Sequence, residues 1–300
     1  MAQIYQKSYY NGKIIDFKFA NLSIASSAVL YGLSVYTVFH ATKDGLVFRL
    51  PEHFKRLQDS AKIIGIDMPT GFDYDNFLHI IKTLYKENKP NKDVFFRATI
   101  HVDELVAGTR SRGVHSQLSI FMYDAEPIVP RNGARLKTSL WRRIPDNAIP
   151  SRAKVNGAYV NSVLARQDAI DSGYDDCIFL DMAGHVCELS AANIFLVRDD
   201  VLITPDTSSD LLEGINRRTI LELAHNEGIT TQVRSVDLTE LYIADEVFMS
   251  GTSAFVTSVK EIDARKVTIR REGVAARLSS LHEQVLKGQV KQYEKWITSL

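Results

Sequence analysis

The residues best suited to chemistry fall in five short stretches of the chain. The first is Ala153-Lys154-Val155-Asn156-Gly157-Ala158-Tyr159. Lys154 stands just ahead of an expected helix, in a segment poor in charge. A lysine amine attacks carbonyls when burial or nearby cations lower its pKa; most lysines are solvated surface groups. The second is Glu188, set in the strand-like run His185-Val186-Cys187-Glu188-Leu189-Ser190. A carboxylate between apolar neighbours needs a charged or hydrogen-bonding partner. A protonated ring nitrogen would serve, and so would an ordinary salt bridge. The third is Glu213-Gly214-Ile215-Asn216-Arg217, at an expected helix start. Main-chain N–H groups there are unpaired and the dipole is positive, which suits a phosphate; a plain Asn-capped helix is the alternative. The fourth, Gly251-Thr252-Ser253-Ala254, is a small-residue turn after a strand that an anion could approach closely. The fifth is Arg56, on a helix and opposite its apolar face. Its guanidinium suits bidentate phosphate contact, although most such arginines face water.

These groups need a scaffold. Residues 35–50 read as a hairpin: an apolar run, the turn Lys43-Asp44-Gly45, then Leu46-Val47-Phe48. Pro51 can open a helix at its first position, and Phe54, Leu57, Ala61 and Ile64 follow at helical spacing. A second amphipathic helix is predicted over residues 74–87, with Phe77, Ile80, Ile81 and Leu84 on one face. Strands are predicted near residues 94–102 and 118–123. Residues 126–133 hold two prolines, an Asn and a Gly and read as a linker. Beyond it come a helix over 158–171, strands at 177–180, 186–189, 193–197 and 201–203, and a helix over 217–227. Strands follow at 231–236, 246–250 and 255–259, and residues 274–296 read as helical. The expected organisation is a small α/β domain at 1–125, a linker at 126–134 and a larger strand-rich domain at 135–300.

Bulk properties exclude several classes. The chain has 300 residues, 45% hydrophobic and 24% charged, near the average for soluble globular proteins. Lys+Arg and Asp+Glu both number 36. Arg142-Arg143 and Arg217-Arg218 are isolated pairs, so neither a basic excess nor a basic stripe points to nucleic acid. No apolar run reaches the roughly 20 residues that span a bilayer, and the first 16 residues lack the apolar core of a signal peptide. A cytoplasmic location without membrane partners is expected. Cys177 and Cys187 flank the turn Asp181-Met182-Ala183-Gly184 and could face each other across a hairpin. Free core thiols are the expectation in a reducing compartment. No metal site is expected, since no His or Cys stands at ligand spacing beside them.

Across nearly its whole length the chain resembles the fold-type IV pyridoxal-phosphate transaminases, and most closely the branched-chain amino acid aminotransferases. The matching stretches, in order, include YYNGKII at 9–15, FRLPEHFKRLQDSAK at 48–62, WRRIPDNAIPSRAKVNGAYVN at 141–161 and ADEVFMSGT at 244–252. The resemblance implies an α+β or α/β architecture: a small N-terminal α/β domain and a larger, barrel-like, strand-rich C-terminal domain that binds pyridoxal 5'-phosphate amid surrounding helices. It implies that Lys154 carries the cofactor as a Schiff base and shuttles the proton. Glu188 would pair with the pyridine nitrogen and Tyr159 with the ring's phenolic oxygen. Arg56, Gly214, Ile215, Asn216, Gly251 and Thr252 would form the phosphate cup, Ile215 and Asn216 through main-chain N–H groups. Arg97 matches the arginine that receives the distal carboxylate of glutamate, with Tyr31 lining the same pocket. Thr252, Ser253 and Ala254 would receive the α-carboxylate. The partners implied are a small amino donor and a 2-oxo acid acceptor, and a homodimer is expected, with Tyr31 offered across its interface.

The sequence departs from the branched-chain pattern where substrate would bind. After Tyr31-Gly32 that pattern reads Phe-Glu-Gly-apolar-Arg; here it reads Tyr36-Thr37-Val38-Phe39-His40. Valine narrows the wall, and Tyr-x-Val is similar to the D-amino acid and (R)-amine transaminases of the same fold. His40 replaces a permanently charged group with an imidazole. Phe95 stands for a usual tyrosine, Leu189 for a glycine and Asn216 for a threonine. The reading is a branched-chain L-amino acid:2-oxoglutarate transaminase, with a D-amino acid or (R)-amine transaminase as the alternative. Aminodeoxychorismate lyase is a third reading.

Overall fold

The computed structural model describes residues 2–300. It divides into two compact units that interleave along the chain. The first holds the residues up to Glu126 together with Ala153–Ala158 and Leu286–Leu300; the second holds Pro127–Arg152 and Tyr159–Val285. The Lys154 segment therefore packs with the N-terminal residues and not with those that flank it in sequence.

In the first unit, strands β1 (Lys7–Tyr10), β2 (Lys13–Asp16), β3 (Ser34–Ala41), β4 (Leu46–Phe48), β5 (Val94–Val102) and β6 (Ser116–Asp124) form one sheet with the C-terminal strand Ile297–Ser299. The order is C-terminal strand, β4, β3, β5, β6, β1, β2, and every pair is antiparallel. Side chains alternate across a strand, so the β3–β5–β6 register sorts residues into two faces. One face carries Val35, Phe39, Phe96, Ala98, Ile100, Ile120 and Met122 into a core shared with the helices at Leu50–Ile64 and Tyr74–Asn88. The other carries Tyr36, Val38, His40, Phe95, Arg97, His101, Phe121 and Tyr123. Chemistry-bearing types are thus gathered on the face turned away from the core.

Helix α1 (Ser27–Tyr31) ends at Gly32 in a left-handed turn, φ +64°. Helix α2 (Leu50–Ile64) carries Pro51 in its first turn and buries Phe54, Leu57 and Ala61. Helix α3 (Tyr74–Asn88) starts at Asp73, whose carboxylate accepts from Asn76 N–H at 2.9 Å. It buries Phe77, Ile80, Ile81 and Leu84, each worth about 1.5–3 kcal/mol when fully withdrawn from water.

The second unit holds a mixed sheet. Its strands are β7 (Ala134–Thr138), β8 (Asp176–Leu180), β9 (Val186–Leu189), β10 (Asn193–Arg198), β11 (Val201–Thr204), β12 (Thr231–Val233), β13 (Glu246–Gly251), β14 (Phe255–Ile262) and β15 (Arg265–Lys266). The order runs β12, β11, β10, β13, β14, β7, β8, β9, with β15 beside β14. Helices α4 (Tyr159–Asp171), α5 (Ile215–Asn226), α6 (Leu238–Tyr242) and α7 (Val274–Leu286) belong to it. Ile178, Leu196, Ile203, Val247, Met249 and Val259 lie at the centre of its core. Cys177 and Cys187 are free thiols in a smaller cluster with Phe179, and burial pushes both thiols well up, so they stay protonated.

Three expectations need correction. Residues 134–138 form β7, which the sequence reading left unassigned; its central position rests on neighbours, β14 and β8, that are distant in sequence. The 231–236 strand is only Thr231–Val233. Residues 274–296 are not one helix. Helix α7 stops at Leu286, Gly288 turns with φ +66°, and Lys291–Trp296 is a 3-10 turn before the C-terminal strand. That strand pairs with β4, and Trp296 O accepts from Arg49 N–H at 2.7 Å. The Arg49 guanidinium lies 3.8 Å from the Trp296 ring centroid. Pairing and a cation–π contact hold the segment where helical period alone predicted more helix.

Candidate active site

In the first unit the Lys154 segment is laced to β3 as an extra strand would be. Tyr36 N–H donates to Lys154 O at 3.0 Å, and Asn156 N–H to Ser34 O at 2.9 Å. Val35 and Val155 form an isolated bridge. The Ser60 hydroxyl, on α2, accepts from Lys154 N–H at 3.0 Å. Glycine makes this approach feasible: a Cβ on Gly32 would stand 2.8 Å from Gly157 Cα, closer than carbon atoms pack.

So placed, Lys154 Nζ lies 4.9 Å from the Tyr36 ring centroid. The Arg97 guanidinium covers the same ring at 3.7 Å and donates to Asn156 Oδ1 at 2.5 Å. Asn156 Nδ2 in turn donates to Ser34 Oγ at 2.6 Å. The electron-rich Tyr36 ring attracts both cations. The structure thus brings together Lys154, Tyr36 and Arg97, and adds Asn156 and Ser60, which the sequence reading did not select. Val38 lies opposite Arg97 in the β3–β5 register. Phe95 is buried, its ring 5.9 Å from His40 and 5.7 Å from Tyr123. The His40 imidazole is drawn to Asp93, Nε2 to Oδ2 3.1 Å, and that contact holds the Asp93 carboxyl below its usual range. Tyr31, on α1, is half exposed.

Arg56 is the point where the helix-surface reading needs revision. Its Nη2 does not simply face water but donates to Thr37 Oγ1 of β3 at 3.0 Å. His53, one turn earlier on α2, is fully buried, and its pKa is driven well below the usual imidazole value. Burial is the main cause, followed by the charges of Arg56, Lys154 and Arg49. His101, on the Arg97 face, drops to about 4, first through burial and then through Arg97.

In the second unit Glu188 lies on β9 with its side chain 8% exposed. Arg143 Nε stands 3.0 Å from its Oε1. Asn193 Nδ2 and Leu212 N–H donate to Oε2 at 3.3 and 3.2 Å. Asn193 Nδ2 also donates to Leu212 O at 2.9 Å. An ionised carboxylate only accepts, so a set made of a guanidinium and N–H donors suits the anion, the form that would answer a cationic ring N–H. Neither Arg143 nor Asn193 was selected from sequence. Asn193 carried a signal, as a polar residue opening the apolar run Ile194-Phe195-Leu196-Val197; Arg143 carried none beyond its charge.

The same asparagine shapes the turn before α5. A Cβ on Gly214 would fall 2.2 Å from Asn193 Oδ1, so only glycine lets the chain pass. Gly214 is the N-cap of α5 and no side chain caps it. The first-turn N–H groups, those of Ile215 and Asn216 included, therefore suit an anion. Ile215 and Asn216 are themselves buried. The turn at 251–254 closes β13 against Ala192, where a Cβ on Gly251 would meet Ala192 Cβ at 3.1 Å. Ser253 O accepts from Ile128 N–H at 3.1 Å, and Ala254 O from the Thr257 hydroxyl at 2.7 Å. Thr252 follows Gly251 in this turn, and Tyr159 is the first residue of α4. Among the described residues no group of three or more His, Cys, Asp or Glu could hold a metal ion, and no helix is long and apolar enough to cross a membrane.

Residues 34–262 match the family model described as amino-transferase class IV. A probable branched-chain-amino-acid aminotransferase of Aquifex aeolicus is 32% identical over 299 residues, covering 97% of this chain and 96% of that protein. The crystal structure of a branched-chain aminotransferase from Thermoproteus uzoniensis, with norvaline, is 31% identical with a TM-score of 0.94, covering 98% of this chain and 99% of the other. The branched-chain amino acid aminotransferase from Thermobaculum terrenum, in its PLP-bound holo-form, is 28% identical with a TM-score of 0.90 and covers 98% of each.

Proposed function

Since the chain belongs to the class IV amino-transferases, whose cofactor is pyridoxal phosphate, we propose that this transaminase moves the amino group of branched-chain L-amino acids to 2-oxoglutarate, with Lys154 as the lysine that holds the cofactor. The observation that carries the substrate reading is the grouping on the first unit's outer sheet face. Arg97, stacked on Tyr36 and bound to Asn156, offers a fixed cation for a distal carboxylate. Tyr36, Val38, Phe95 and Tyr123 around it offer an apolar wall for an aliphatic side chain.

The residues fit the cofactor. Glu188, held as an anion by Arg143 and two N–H donors, would pair with the ring nitrogen. Tyr159 would donate to the ring's phenolic oxygen. Arg56, the uncapped α5 start at Gly214, Ile215 and Asn216, and the turn at Gly251 and Thr252 would hold the phosphate, and Ser253 and Ala254 the substrate α-carboxylate. When bound, the cofactor supplies an electron sink for the bond broken at the substrate Cα. Lys154 Nζ would hold the cofactor covalently and, as a free amine, would carry the proton removed from the substrate Cα. Ser60 and β3 fix the Lys154 backbone, so that amine swings from a constant root.

Val38 opposite Arg97 favours a second reading, a D-amino acid or (R)-amine transaminase, because a valine there narrows the wall beside the cation. The visible absorbance of the bound cofactor decides between them. Loss on adding L-leucine alone supports the first reading; loss only with D-alanine or (R)-1-phenylethylamine overturns it. A homodimer accords with the exposed apolar residues Ile24, Val29, Leu30, Tyr31, Leu105 and Val106, and light scattering of a monomer mass would refute it. A cytoplasmic site of action completes this reading.

A further inference from the structure

Arg56 is not oriented by its helix alone. Its Nη2 donates to Thr37 Oγ1 at 3.0 Å, and Thr37 Oγ1 lies 2.9 Å from His53 Nδ1. Thr37 is 0% and His53 2% exposed. A guanidinium has donors and no acceptor. The threonine oxygen therefore accepts from Arg56, and its one proton is free to go to His53 Nδ1. Arg56 Nη2 also approaches Nδ1 at 3.5 Å, again as a donor. The Arg56 contact, whose guanidinium can only donate, calls for a bare Nδ1 and a ring proton on Nε2, and the Thr37 hydroxyl suits that tautomer by donating. The ring is steadied by Phe39, whose centroid is 5.6 Å away.

We propose that His53 is a positioning residue: through the Thr37 hydroxyl it fixes the Arg56 guanidinium for the phosphate monoester of the cofactor. The inference rests on reading Arg56 as a phosphate ligand. Its chemistry follows from charge. A carboxylate at position 37 would orient the guanidinium but also neutralise it and repel an incoming phosphate. A hydroxyl relayed to a neutral imidazole orients it without adding negative charge. Burial first, and then the charges of Arg56, Lys154 and Arg49, hold His53 neutral, so it keeps a bare ring nitrogen to accept with. The hydroxyl and the imidazole can each be removed by a separate substitution.

The test uses the full-length protein reconstituted with either pyridoxal phosphate or pyridoxal, which lacks the phosphate. Thr37→Val and His53→Leu should each weaken pyridoxal phosphate on the order of tenfold, the loss of one hydrogen bond to a charged group, and leave pyridoxal binding unchanged. Thr37→Ser and His53→Gln, which restore a hydroxyl and an acceptor, should bind as wild type. The nitrogen chemical shifts of His53 in the holoenzyme should show Nδ1 unprotonated. Equal losses for both ligands, or no loss in Thr37→Val, would overturn the relay, as would a protonated Nδ1. If His53→Leu does not fold, Thr37→Val decides alone. Arg56→Ala separates the two levels. If it abolishes the preference for pyridoxal phosphate while Thr37→Val keeps it, only the relay falls. If Arg56→Ala keeps the preference as well, Arg56 is not the phosphate ligand and both readings fall.

Discussion

The two compact units hold their chemical groups by opposite means. In the first, Lys154, Tyr36 and Arg97 meet on the outer face of an antiparallel sheet, and contacts among cations and one aromatic ring space them. In the second, Glu188 is enclosed by Arg143, Asn193 and the Leu212 main chain, and the turn beside it passes only because residue 214 is glycine. The apolar side chains of the first unit's outer face, Val38 and the buried Phe95, can change without stranding a charge. The enclosed carboxylate cannot, because each donor also satisfies a buried charge. The departures from the branched-chain pattern follow this division. Tyr36, Val38, His40 and Phe95 lie on that outer sheet face, all but Val38 buried. In the second unit Asn216 lies in the first turn of α5, where the main-chain N–H groups do not depend on the side chain, and Leu189 packs into the core.

This contrast can be tested from its strongest consequence downward. Lys154→Ala should lower turnover by at least about a thousandfold and remove the covalently bound cofactor's visible band, while thermal unfolding of the cofactor-free protein stays near wild type because the contacts to Ser60 and β3 are made by the residue 154 backbone. A large fall in Tm would mean that Lys154 is structural. Glu188→Gln should behave in the opposite way. It leaves Arg143 buried beside a neutral amide, at a cost of about 3 kcal/mol, and calorimetry should show a clear drop in Tm. Gly214→Ala sharpens the same point. Its Cβ must displace Asn193 Oδ1, which costs about 1–3 kcal/mol, and chemical denaturation should detect it together with weaker cofactor binding.

The smallest effect concerns pH. His53 and His101 both titrate lower in the folded protein than the free value of 6.5, His101 at about 4. The unfolded chain therefore binds more protons than the folded one below that value, and stability rises with pH. The contribution is fully present above pH 6.5 and is lost as pH falls toward and through the folded values. His101→Gln should flatten the slope of unfolding free energy between pH 6.5 and about 4. An unchanged slope would show that His101 is solvated and outside the Arg97 field.

Local features of the fold were readable in advance because they depend on near neighbours. The 3.6-residue apolar spacing gave α2 and α3, Pro51 marked the start of α2, and the hairpin at Lys43-Asp44-Gly45 joined β3 to β4. Strand β7 was not readable, since its parallel partners lie about 40 and 120 residues away along the chain. His40 shows the same limit at a side chain. Its type and position suggested the substrate pocket, and Asp93, fifty-three residues on, takes its Nε2.

Taken alone, the sequence determined which residues could do chemistry: a lysine in a charge-poor segment, a carboxylate inside an apolar strand, glycines ahead of a helix and after a strand. It did so because burial and turn geometry leave marks in residue type. The tertiary structure decided who answers them. Arg143 for Glu188, Ser60 and Tyr36 for Lys154, Asn156 for Arg97, and Thr37 with His53 for Arg56 are partners fixed by strand register and helix packing. A one-dimensional pattern tells which face a side chain takes, but the partner across that face depends on which distant strand or helix comes to lie beside it.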